Sequence, residues 1–176
     1  GHYAGCYELG EDQGGTYDNP IILYAEREDD GSRGVVMDCC TSGRTTCINL
    51  EAADYIAVDG FEFNGGNYGV RAVGADFNAS AHQRGVAVLN CEGHDQNNDP
   101  FFTGQSDWAV FENNLGRNAG SGDGHGLYIS NGSDWNIVRY NELHSNVSSD
   151  FQINADPNFT CDDVNTSDCD ALAGSG

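Results

Sequence analysis

Lysine is absent from this chain. Its positive charge is confined to seven arginines against 28 acidic residues, for a formal net charge of −21. A partner held through phosphates needs clustered cations, so nucleic acid and anionic membrane surfaces are excluded. Long apolar runs are missing too. Nothing approaches the ~18 residues of a membrane-spanning helix, and no membrane insertion is expected. No leader is legible, and Gly1 is expected to be a mature or trimmed start.

Short alternating runs separated by Gly, Asn and Ser clusters are what the chain has instead. The clearest unit is residues 122–154, GDGHGLYISNGSDWNIVRYNELHSNVSSDFQIN, which reads as three strands of three to five residues with polar corners. Other segments align with it in columns. Val58, Val88, Phe111 and Val138 recur at spacings of 30, 23 and 27 residues, with Ile56, Val86, Ala109 and Asn136 two positions earlier. Phe61, Cys91, Asn114 and Asn141 mark a corner, and Trp108 and Trp135 open the same strand in successive units. A second strand gives Val70, Phe101, Leu127 and Phe151, then Ala72, Thr103, Ile129 and Ile153. Columns that keep register through units of unequal length predict an all-β solenoid of about five coils.

Seven cysteines in a short acidic chain, without zinc-type spacing, predict disulfides and a secreted, extracellular location. The candidates are Cys6, Cys39, Cys40, Cys47, Cys91, Cys161 and Cys169. Cys6 is expected to tie to Cys39 or Cys40, and Cys161 to Cys169. Seven is odd, which leaves a thiol free or bonded to another chain. Five N-x-S/T sequons, at Asn78, Asn131, Asn146, Asn158 and Asn165, predict N-glycosylation at corners and loops.

The Asn-rich corners and the runs GHGLYISNGS and YNELHSN resemble the repeats of right-handed parallel β-helix proteins, the pectate-lyase-like fold. The resemblance spans about residues 20 to 155. The chain is expected to divide into three parts: a capping segment at 1–20, the β-helix at 21–155, and an acidic, disulfide-stapled tail at 156–176. The resemblance implies an acid–base site if the chain is a polysaccharide lyase, which needs a base together with a cation to stabilise an enolate. The catalytic candidates are His125, His144 and Arg139, with Asp95, Asn97, Asp99 and Asp123 as ligands for Ca²⁺. The missing lysine removes one base that such enzymes use. DQNND at 95–99 has the D-x-N-x-D opening of a calcium loop, but Pro100 stands at the sixth place and Ser106 at the twelfth. GDGHG resembles the Gly-His-Gly of polygalacturonases without their paired aspartates, and no carboxylate pair singles itself out for glycosidase chemistry.

Two outward columns are the binding candidates. One holds Asn64, His94, Arg117 and His144; the other holds Arg71, Phe102, Tyr128 and Gln152. Aromatic faces suit pyranose rings, so Arg71, Phe102, Tyr128, His94 and Arg117 are expected to form one saccharide groove. The leading functional expectation is a structural protomer, glycosylated and stacking head to tail into an extracellular fibre or coat. The alternatives are a lyase on acidic polysaccharide and a non-catalytic glycan-binding module. Self-association and glycans are the expected partners.

Overall fold

The computed structural model describes residues 1–154 except 43, 44, 77 and 121. Among these the chain is all-β, apart from two single-turn 3-10 segments at Glu11–Gln13 and Ala79–Ala81. In chain order the strands are β1 (His2–Ala4), β2 (Tyr7–Leu9), β3 (Ile21–Tyr24), β4 (Val36–Asp38), β5 (Thr46–Glu51) and β6 (Ile56–Asp59). Then come β7 (Glu62–Asn64), β8 (Tyr68–Val73), β9 (Gln83–Arg84), β10 (Ala87–Leu89), β11 (Glu92–His94), β12 (Phe101–Gly104) and β13 (Ser106–Asp107). The last six are β14 (Val110–Glu112), β15 (Leu115–Arg117), β16 (Leu127–Ser130), β17 (Ile137–Arg139), β18 (Glu142–His144) and β19 (Phe151–Ile153).

They form three parallel sheets that the chain visits in rotation. Sheet I is β1-β4-β7-β11-β15-β18, sheet II is β3-β6-β10-β14-β17, and sheet III is β2-β5-β8-β12-β16-β19, with β9 and β13 as a short fourth pair. Sequence spacing and register agree. Val58 pairs with Val88, Val88 with Phe111, and Phe111 with Val138. Val70, Phe101, Leu127 and Phe151 are likewise successive partners in sheet III. Alternation turns every second side chain inward, so Val58, Phe63, Val70, Val88, Phe101 and Phe111 share one buried core. Each such side chain contributes about 1.5–3 kcal/mol on burial.

The corners explain the asparagines. Gly60, Asn90, Asn113 and Tyr140 occupy one corner in successive circuits, all with positive φ; Asn tolerates that region better than most side chains. At the next position the backbone N–H of Cys91 donates to Asn114 Oδ1 at 2.9 Å, and that of Asn114 to Asn141 Oδ1 at 2.9 Å. Nδ2 of Asn114 donates to the Val88 carbonyl and Nδ2 of Asn141 to that of Phe111, each at 2.9 Å. These side chains satisfy backbone groups that the sheets leave unpaired where the chain turns. Gly85, at φ +66°, lies under the Tyr55 ring, which a Cβ there would meet at 2.5 Å.

Three expectations are refined. Residues 1–20 do not simply cover the first circuit: β1 and β2 lie in this stretch and pair in parallel with β4 and β5. Runs of three residues between glycines are too short for alternation to reveal them. Cys6 bonds Cys40, and Cys39 bonds Cys47 eight positions on, with Cα separations of 5.6 and 4.7 Å. Cys91 is the free cysteine among the described residues and is buried. Its Sγ takes the place in the corner ladder that Asn Nδ2 takes above it, 3.6 Å from the Val58 carbonyl. Desolvation pushes this thiol up to about 12. It is a core group and not a point of attachment to another chain. Cys161, Cys169, Asn158, Asn165 and the tail at 156–176 lie outside the described residues.

Candidate functional site

Sheet III carries an aromatic row on its outer face. Register places Asn49, Arg71, Phe102, Tyr128 and Gln152 side by side on successive strands. Tyr68, at the start of β8, adds a ring. Its centroid is 5.4 Å from that of Phe102, and Phe102 is 5.4 Å from Tyr128 in an edge-on contact. Beside the row lies a recess of about 350 Å³ lined by Tyr68, Arg71, Asp76, Phe102, Gln105 and Asn131. Burial raises the Tyr68 phenol above its ordinary value, so the hydroxyl keeps its proton as a donor. The Arg71 guanidinium is already engaged, donating to Glu51 Oε2 at 2.7 Å and Asn49 Oδ1 at 2.9 Å.

Behind the row stand Asp99 and His125. The Asp99 carboxyl is buried and accepts the His125 backbone N–H at 2.8 Å. Desolvation pushes it up to about 7, with the nearby Asp123 carboxylate acting in the same direction and the His125 N–H opposing. His125 packs edge-on to Tyr128 at 5.1 Å, and its Nδ1 lies 2.8 Å from Ser149 Oγ while accepting the Ser149 N–H at 3.3 Å.

The second outward column is also in register, with Asn64, His94, Arg117 and His144 aligned on sheet I. His94 and Arg117 are thus on a different sheet from Arg71, Phe102 and Tyr128, and the single groove expected from sequence is two separate faces. Corner residues between β11 and β12 carry the chain from one sheet to the other, which outward orientation alone does not convey. Basic side chains on sheet I lie against carboxylates. His94 lies 3.2 Å from Glu62 and 2.7 Å from Asp95. Glu92 is held between Arg33 at 2.9 Å and Arg117 at 2.7 Å. Next to this face is a polar cleft of about 550 Å³ lined by Arg27, Arg33, Glu62, Asn113, Tyr140 and Glu142 among others.

The acid–base candidates are dispersed. His125 precedes β16 of sheet III, Arg139 ends β17 of sheet II and pairs with Glu112 at 2.7 Å, and His144 ends β18 of sheet I, 3.7 Å from Glu142. These three candidates lie on three different sheets and do not converge on one another. Among the described residues no group of three or more His, Cys, Asp and Glu side chains could hold a metal ion. Asn97 instead donates to Asn67, and Asp99 caps His125.

The described sequons differ in environment. Asn78 is exposed and its Oδ1 accepts from Ser80 N and Oγ. Asn131, expected to be exposed at a corner, is half-buried at the recess. Asn146, expected to be exposed, is half-buried, and its Nδ2 donates to the Gly116 carbonyl and to Asp150. Sequence reasoning missed two features. Tyr68 stands outside the aligned columns. Trp108 and Trp135, seen only as strand openers, stack with centroids 5.4 Å apart and planes at 11°, both exposed; their shared column was the available signal. No family model matches the chain, and no characterised protein or solved structure matches it either.

Proposed function

We propose that this is a secreted right-handed parallel β-helix whose sheet III binds a neutral saccharide chain along its outer face. The rotation of the chain through three parallel sheets supports the β-helix reading, and the disulfides support an oxidising compartment. The observation that carries the binding reading is the unbroken row Tyr68, Phe102, Tyr128 beside a polar recess. Aromatic rings offer apolar faces to the C–H faces of pyranoses. Asp76, Gln105 and Asn131 offer donors and acceptors for hydroxyls, the mixture expected of a small-molecule groove. The preference for a neutral chain follows from charge. Arg71 is compensated by Glu51, and a net charge of −21 repels uronate polymers.

Screening the chain against neutral and acidic oligosaccharides, followed by calorimetry, tests this. The expected result is binding to a neutral glycan that Phe102→Ala weakens about tenfold, consistent with loss of one stacking contact. Absence of binding to any neutral glycan, or a preference for polyuronates, removes the reading.

A further inference from the structure

Among the described residues all three sheets end together. At one end lie β1, β2 and β3, and at the other β18, β19 and β17. Each end exposes large apolar side chains, Tyr3, Tyr7 and Ile22 at the first, Ile137, Phe151 and Ile153 at the second. The first end opens into an apolar hollow of about 530 Å³ framed by Tyr3, Tyr7, Leu9, Leu23, Met37 and Ile48. Every interior circuit fills the equivalent space with the next circuit, as the full burial of Val58, Phe63 and Val70 shows.

The two ends match position by position when the columns are followed through the stack. The column that starts at Leu9 runs through Leu50, Ala72, Thr103 and Ile129 to Ile153. The one from Tyr7 runs to Phe151 by the same pairings, and the one from Leu23 runs through Val58, Val88 and Phe111 to Val138. On the outer face the column from Ile22 ends at Ile137. The column from His2 ends at Glu142, both exposed at 74% and 77% of the side chain. A copy placed one strand spacing beyond the stack therefore sets apolar on apolar throughout the core and a histidine against a carboxylate on the rim.

We infer that a second copy of this chain seats its β17, β18 and β19 end on the β1, β2 and β3 end of the first, continuing each sheet in register. The join supplies a neighbouring strand to edges that have none among the described residues. Because it is head to tail, it repeats into a filament. A stable interface buries roughly 1,200 Å² or more in total, and an end framed by three short strands is a small face, so assembly depends on concentration. The net charge of −21 opposes it, so salt promotes it. This inference is independent of the saccharide reading, since the faces differ and neither test uses the other's ligand.

The test is the mass of the full chain by light scattering from micromolar to near-millimolar concentration at low and high salt, alongside Tyr7→Asp and Ile153→Asp. The wild type should grow in mass with concentration and salt, each variant alone should stay a single chain, and an equimolar mixture of the two should stop at two chains. In that mixture the intact end of each variant is the complement of the other's. A wild type that remains a single chain throughout overturns the inference whether or not the variants fold. Self-association of Tyr7→Asp or Ile153→Asp alone overturns the head-to-tail geometry.

Discussion

The side chain of Asn141 reaches back one circuit to Asn114, accepting its backbone N–H at 2.9 Å and its Nδ2 at 3.0 Å. Asn114 does the same service for Cys91 and also caps the Val88 carbonyl. Asn114→Ala strands the Cys91 N–H and the Val88 C=O in the interior, at about 1–3 kcal/mol each. Urea unfolding should show a loss of roughly 2–6 kcal/mol. A loss below that range would mean that water replaces the ladder.

Cys91 sits where the ladder wants an amide. Cys91→Asn should place Nδ2 on the Val58 carbonyl, now 3.6 Å from Sγ. The variant is expected to fold with stability equal to wild type or higher by about 1 kcal/mol. In the wild type, burial and the raised thiol pKa predict that Cys91 resists alkylation until the chain unfolds. Peptide mapping after native and denaturing labelling measures this; rapid native labelling at Cys91 contradicts its placement.

Asp99 gives a signed pH dependence. Its folded value, about 7, lies above the ordinary 3.8, so between these values the folded chain holds a proton that the unfolded chain has lost. The group therefore destabilises the fold above pH 7, and the penalty is relieved as pH falls toward 4, at up to roughly 1.4 kcal/mol per unit. Asp99→Asn keeps an Oδ1 for the His125 N–H and removes the titration. The stability difference between variant and wild type should favour the variant near pH 8 and shrink toward pH 4. A difference that is flat with pH contradicts the burial of an ionisable Asp99.

Much of this architecture was legible because strand side chains alternate with period two, so columns such as Val58 to Val138 survive changes in corner length. The outward rows were legible for the same reason. What they face was not: the sheet to which an outward residue belongs depends on corners, and His94 with Arg117 fell on a different face from Phe102. The ends of the stack were harder still. Tyr3 and Tyr7 lie in strands of three residues, too short to show a period, and Cys6 had two equally near partners in Cys39 and Cys40. Corner asparagines were visible as corner residues, but their bonds to the carbonyls of the preceding circuit require the third dimension.

The core itself makes a simple prediction. Val88 is fully buried between Val58 and Phe111. Val88→Asp places an unpaired charge there, costing about 5 kcal/mol or more, enough to unfold a domain of ordinary stability. Circular dichroism should show loss of the cooperative β transition; a folded variant with unchanged melting would contradict the column.

The location of saccharide binding is tested most directly by a two-dimensional amide NMR titration with the neutral glycan selected in the binding screen. Shift changes should concentrate at Tyr68, Arg71, Phe102, Gln105, Tyr128 and Asn131, leaving His94, Arg117 and His144 on sheet I unmoved. Changes centred on sheet I, or none at saturating glycan, would contradict the account.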